Sequence, residues 1–233
     1  MPPKNSQKTY VDHTYYHIYN RGVEKRKIFE DRKDYLAFLG CLKLYLTPPK
    51  PLDRRISHTL QGSSLSDTKT IYAPSRQPKN HQNTIELVAY CLMPNHFHLL
   101  IRQINKDSMN HFMRSLTTRY SMNFNKKHER VGHLFQGIYK AVMVEQESQF
   151  LWVTKYIHRN PLTLPVCNND PAKLVEYPYS SYKNYLGQIH QTWVHPENIL
   201  TYFSETNPRN SYQNFVEETL ANQKENSYLT LEA

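Results

Sequence analysis

The stretch TIELVAYCLMPNHFHLLIRQ, residues 84–103, leaves this chain the fewest options. Two runs rich in branched and aromatic residues flank Pro94-Asn95, a dipeptide that favours a turn, and each run has the length of a strand. The pattern predicts a β-hairpin, expected in the centre of a sheet. Side chains alternate along a strand, so His96, His98 and Leu100 share one face while Phe97, Leu99 and Ile101 share the other. The two imidazoles then stand about 7 Å apart along the strand, at roughly 3.3 Å per residue, within reach of one ion. Taken alone, the pattern also suits structural imidazoles.

Periodicity places the other elements. Tyr15 to Tyr19 read as a strand, closed by a turn at Asn20 to Gly22. Asp31 is a candidate N-cap for a helix with Tyr35, Leu36, Phe38, Leu39, Leu42 and Leu46 at helical spacing. Ser108 is expected to cap a second helix, with Met109, Phe112, Met113, Leu116 and Tyr120 in one stripe and Arg114 and Arg119 on another face. GIYKAVMVE alternates as a strand, and SQFLWVTKYIHRN reads as a helix stopped by Pro161. This order predicts an α+β fold, a central antiparallel sheet with helices packed on it. Residues 47–84 break the pattern with five prolines, many polar residues and little periodicity, as expected of a mobile insertion.

The 233 residues suit one well-buried domain with extensions. The net charge of +9 is uneven: Phe203 to Ala233 carries five acids and two bases, against twenty-seven bases and fifteen acids elsewhere. With 18 Tyr and 9 Phe, so basic a body suits a polyanion whose bases stack on rings, although a positive surface also serves solubility. Three scattered cysteines, Cys41, Cys91 and Cys167, argue against a disulfide framework or a thiolate zinc site. No apolar leader and no run of membrane-spanning length is present, so a cytoplasmic setting is expected.

Two imidazoles need a further ligand to hold a metal. Tyr156 and Asn160 lie one helical turn apart, about 40° around the axis, beside the apolar stripe of Phe150, Val153 and Ile157. MPNHFHLL, then RVGHLFQGIYK, KYIHRNP and YPYSSYKNYLG in that order, resemble the single-tyrosine HUH transposases, nearest the group associated with repetitive extragenic palindromes (REP). The resemblance spans residues 13–187, leaving a tail at 1–12, the insertion at 47–84 and an extension at 188–233, whose end is expected to be disordered.

The resemblance implies an HUH-endonuclease sandwich in which His96, His98 and Asn160 hold Mg²⁺ or Mn²⁺ and Tyr156 is the nucleophile. Many relatives in the broader family carry Gln where this chain has Asn160. The implied substrate is single-stranded DNA with hairpins, cleaved through a 5′-phosphotyrosine and rejoined, by a monomer or homodimer. Candidate phosphate contacts are Arg21, Lys25, Arg26 and Lys27 after the first strand, and Arg114, Arg119, Lys126 and Lys127 on the second helix; each also fits an ordinary solvated charge. Two alternatives are a domesticated hairpin-binding protein that does not cleave and a zinc-stabilised binding domain.

Overall fold

The computed structural model describes residues 10–49 and 79–218. Strand β1 (Tyr15–Arg21) leads to helix α1 (Arg32–Leu46), the hairpin β2 (Ile85–Met93) and β3 (His96–Gln103), helix α2 (Ser108–Lys127), strand β4 (Lys140–Val144) and helix α3 (Glu147–Arg159). Short helices α4 (Tyr182–Tyr185), α5 (Glu197–Leu200) and α6 (Tyr212–Glu217) follow. The four strands form one sheet in the order β2-β3-β1-β4, and every pair is antiparallel. The expected α+β architecture is present.

Helices α1 and α2 cover one face of the sheet. Phe97, Leu99 and Ile101 project there, each fully buried with Phe38, Phe112, Leu116 and Tyr120. Asp31 caps α1 as expected, in a reciprocal capping box with Asp34. Its buried stripe is Tyr35, Phe38, Leu42 and Leu46, while Leu36 stays half exposed. Ser108, expected to cap α2, is instead its first residue and is buried, with Asp107 before it.

Helix α3 covers part of the opposite face. Phe150 and Ile157 are buried with Val88, Ala89, Cys91 and Leu100, and Val153 packs at the edge of that cluster. Val88 and Ala89 share this face because β2 carries a bulge, with Leu87 opposite Ile101 and Ala89 opposite Leu100. The extra residue shifts the alternation of β2, so Tyr90 and Leu92 return to the α1/α2 side.

The hairpin does not lie wholly in the sheet centre. Its β3 limb is interior, but β2 is an edge strand. The chain covers that edge with its own later residues, since Leu92 N–H donates to Tyr179 O, Ser181 N–H to Tyr90 O and His195 N–H to Leu87 O. The residues after Gly187 contribute to the core through Trp193, Val194, Ile199, Tyr212 and Val216. Of the expected insertion only its ends are described. Asn80 donates to Thr47 O at 2.6 Å and His81 N–H to Tyr45 O at 2.8 Å, which brings the two ends together beside the end of α1.

Candidate active site

The strand alternation sends His96 and His98 to the face opposite the Phe97 core. β1 pairs beside β3 with Tyr19 opposite His98 and Arg21 opposite His96, so the Tyr15, His17 and Tyr19 face of β1 adjoins the histidines. α3 crosses this surface and sets the Tyr156 ring edge-on to His98 and His17, with centroids 5.4 Å and 5.8 Å away. One turn later Asn160 caps the helix, its Oδ1 3.3 Å from His96 Nε2. Pro161 ends α3 here by denying it another N–H. The structure thus brings together the four residues predicted from the sequence, all from one chain.

Hydrogen bonding shows which atoms face inward. Asn160 Nδ2 donates to Tyr156 O at 3.1 Å, which turns Oδ1 toward His96. His96 Nδ1 lies 2.7 Å from Asn95 Oδ1, an acceptor, so Nδ1 carries the proton and donates. In the neutral ring the remaining nitrogen, Nε2, would direct a lone pair toward the amide oxygen of Asn160. Nε2 of His96 and Oδ1 of Asn160 stand 3.3 Å apart, close enough for one small cation to be met by both. His98 is held alike, with Nδ1 2.9 Å from His17 Nε2, leaving Nε2 as the nitrogen with which it would ligate.

Electrostatics favour neutral donors. Burial lowers the His17 pKa to about 4. Burial also holds His98 well below the ordinary imidazole range, and His17 and His96 push in the same direction. Both rings are therefore uncharged at neutral pH and keep lone pairs for bonding. Among the described residues no group of three or more His, Cys, Asp or Glu side chains is placed to hold a metal ion, and the polar side chain beside the two histidines is the Asn160 amide. Neutral nitrogen and oxygen donors of this kind fit a divalent cation and leave its charge uncancelled.

The predicted cations divide between two places. Arg21 and Lys25 line a cleft of about 380 Å³ that reaches His96 and is completed by Tyr19, Asn20, Asn95, Gln136, Ile138 and Lys140. Arg26 is half-buried in the adjoining turn, where a Cβ on Gly22 would stand 2.3 Å from the Arg26 carbonyl oxygen. Only glycine permits that approach. Arg114, Arg119, Lys126 and Lys127 lie on α2, on the layer across the sheet from Tyr156. Lys127 is paired with Asp31 at 2.6 Å and Asp34 at 2.7 Å, and Arg119 lies against Cys41 and Tyr45.

Sequence reasoning did not single out His17, Tyr19, Asn95 or Lys140. Alternation in β1 would have paired His17 with Tyr15 and Tyr19 on one face, but nothing in it shows that this face meets His98.

Residues 67–160 match the family model of the IS200-like transposases, a span of less than half the chain that holds His96, His98, Tyr156 and Asn160. The solved structure of a REP-associated tyrosine transposase bound to a REP hairpin aligns with 82% of this chain and 97% of its own, at a TM-score of 0.52 and 9% sequence identity. The two chains share a fold. A protein of Deinococcus radiodurans R1, provisionally assigned as a transposase, aligns with 66% of this chain and 96% of its own, at 16% identity and a TM-score of 0.37. No curated protein matches the sequence significantly. No helix among the described residues is long and apolar enough to cross a membrane.

Proposed function

We propose that this chain, similar to the IS200-like transposases over residues 67–160 and to a REP-associated tyrosine transposase in fold, is a metal-dependent single-stranded DNA endonuclease and strand transferase acting beside hairpins. One observation carries the reading. Tyr156 lies against His98, and the inward donors of His96 and Asn160 face each other at 3.3 Å, on the same side of the sheet.

His96, His98 and Asn160 would hold the divalent ion, Mg²⁺ or Mn²⁺. When bound it supplies Lewis-acid polarisation of a phosphodiester oxygen. Tyr156 Oη attacks phosphorus and gives up its proton, the bond from phosphorus to the 3′ oxygen breaks, and that oxygen takes a proton to become a free 3′-hydroxyl. The DNA is left joined to Tyr156 through its 5′ phosphate. Attack by another 3′-hydroxyl reverses the step and seals a strand without a nucleotide cofactor, because the phosphotyrosine conserves the bond. Arg21, Lys25 and Lys140 give the adjoining cleft the charge to hold phosphates beside the attacked one. Tyr156 lies beside His98 of its own chain, so the proposed site needs no residue from a second copy.

The test incubates labelled hairpin DNA with its flanking single strand, protein and Mn²⁺, then separates products in SDS. The expected result is a protein–DNA adduct that Tyr156→Phe fails to form. If wild type binds the hairpin and forms no adduct with Mg²⁺ or Mn²⁺, the protein is a hairpin binder that does not cleave. Stoichiometric zinc with unfolding on chelation would instead indicate a structural zinc domain.

A further inference from the structure

Beyond the residues that would hold the ion, we infer that His17 and Asn95 are positioning residues that lock His98 and His96 as Nδ1–H tautomers, keeping both Nε2 lone pairs on the active-site side. The inference rests on the functional reading above.

Both contacts are made to the Nδ1 atom of the ring. Asn95 Oδ1 accepts a hydrogen bond from Nδ1–H of His96 at 2.7 Å, and His17 Nε2 stands 2.9 Å from Nδ1 of His98. Asn95 belongs to the hairpin turn and precedes His96 directly, so one local element supplies the ligand and its partner. His17 comes from β1, where it pairs opposite Leu100, and its ring stacks on His98 at 5.1 Å with an interplanar angle of 23°. Both rings are buried, His17 at 4% exposure and His98 at 0%, so the bridge is shielded from water and neither ring gains from charging.

One proton lies between the two nitrogens. Placed on His98 Nδ1, it leaves Nε2 of His98 as a donor of electrons; placed on His17, it forces the His98 proton onto Nε2 and spoils that ring as a ligand. Hydrogen bonds from the outer nitrogen of a ligating histidine hold its orientation and tautomer, and their loss costs about 10- to 100-fold in metal affinity. An amide serves that purpose for His96; a second imidazole serves it for His98.

Two measurements test this. The first uses wild-type protein with ¹⁵N-labelled imidazoles. With Mg²⁺ present, His96 and His98 are expected to show the shifts of Nδ1–H rings, and His17 that of a ring protonated at Nδ1 and accepting at Nε2. A His98 that carries its proton on Nε2 under these conditions overturns the inference. The second titrates Mn²⁺ by electron paramagnetic resonance, without DNA or turnover. His17→Phe, of similar shape but without an acceptor, is expected to bind about 10-fold or more weakly, whereas His17→Gln, which can accept from Nδ1–H, stays within about 3-fold of wild type. Equal affinities in His17→Phe and wild type defeat the inference and leave the functional reading intact. Wild type that binds no Mn²⁺ defeats that reading instead. If His17→Gln falls as far as His17→Phe, ring shape and not hydrogen bonding accounts for the effect, and the inference also fails.

Discussion

The two faces of β3 divide stability from chemistry. Phe97, Leu99 and Ile101 are fully buried beneath α1 and α2 in a layer dominated by apolar and aromatic contacts. One residue away in each direction, His96 and His98 meet imidazole, amide and phenol groups from β1, the hairpin turn and α3. A strand interior to the sheet is held from both sides by ladder hydrogen bonds, so its backbone aims the histidines with little freedom. The apolar face fixes the strand, and the polar face uses that rigidity. The difference shows that a candidate active site can share its backbone with the Phe97 core while its side chains lie on the opposite face of the sheet.

The sharpest way to break this comparison is to alter one face at a time. Tyr156→Phe is expected to reduce adduct formation at least about a thousand-fold while changing unfolding free energy by less than about 1 kcal/mol. Phe97→Ala should do the reverse, costing about 3–5 kcal/mol in urea unfolding and leaving adduct yield per folded molecule near wild type. If Phe97→Ala abolishes the adduct in fully folded protein, the faces are not separable.

Acid sensitivity should belong to the α3 side. His158 is fully buried there, its Nδ1 2.6 Å from Tyr212 Oη and its Nε2 2.8 Å from Ser181 Oγ, and burial lowers its pKa to about 3. Between that value and the unfolded value near 6.5, the unfolded chain binds the extra proton, so stability is present above the window and lost as pH falls through it. This one residue is expected to cost about 2 kcal/mol between pH 7 and pH 5. Urea titrations at the two pH values should show the loss in wild type and a smaller loss in His158→Gln.

The smallest effects concern the cations. Arg21→Ala or Lys25→Ala should weaken hairpin binding several-fold and lower the salt slope by about 1, as each removes a positive charge from the cleft beside His96. Arg114→Ala and Arg119→Ala, across the sheet, are expected to leave both quantities within error. Equal losses from the α2 variants in fluorescence anisotropy titrations would mean that DNA also runs over the α1/α2 layer.

Much of this was legible in the sequence because the signals were local. Alternation separated His96 and His98 from Phe97 and Leu99, Asp31 announced α1, and the spacing of Tyr156 and Asn160 put them one turn apart at the end of a helix stopped by Pro161. The edge position of β2 was not legible, because strand order depends on which strands pair and not on the composition of each. Nor was the covering of that edge by Tyr179, Ser181 and His195, which lie about ninety residues or more from the backbone groups they bond.

The sequence by itself therefore determined most of the elements and the faces of β3 and α3, and its resemblance to a known family named the four candidate site residues. Only the tertiary structure decided that α3 crosses the histidine face, that His17 stands 2.9 Å from His98, and that the α2 cations lie on the far layer. Periodicity reports which side of an element is apolar, a property of a few consecutive residues. Which polar group meets which across the sheet follows from strand pairing and helix docking, where contacts between distant residues offset the entropy of closing the loops between them.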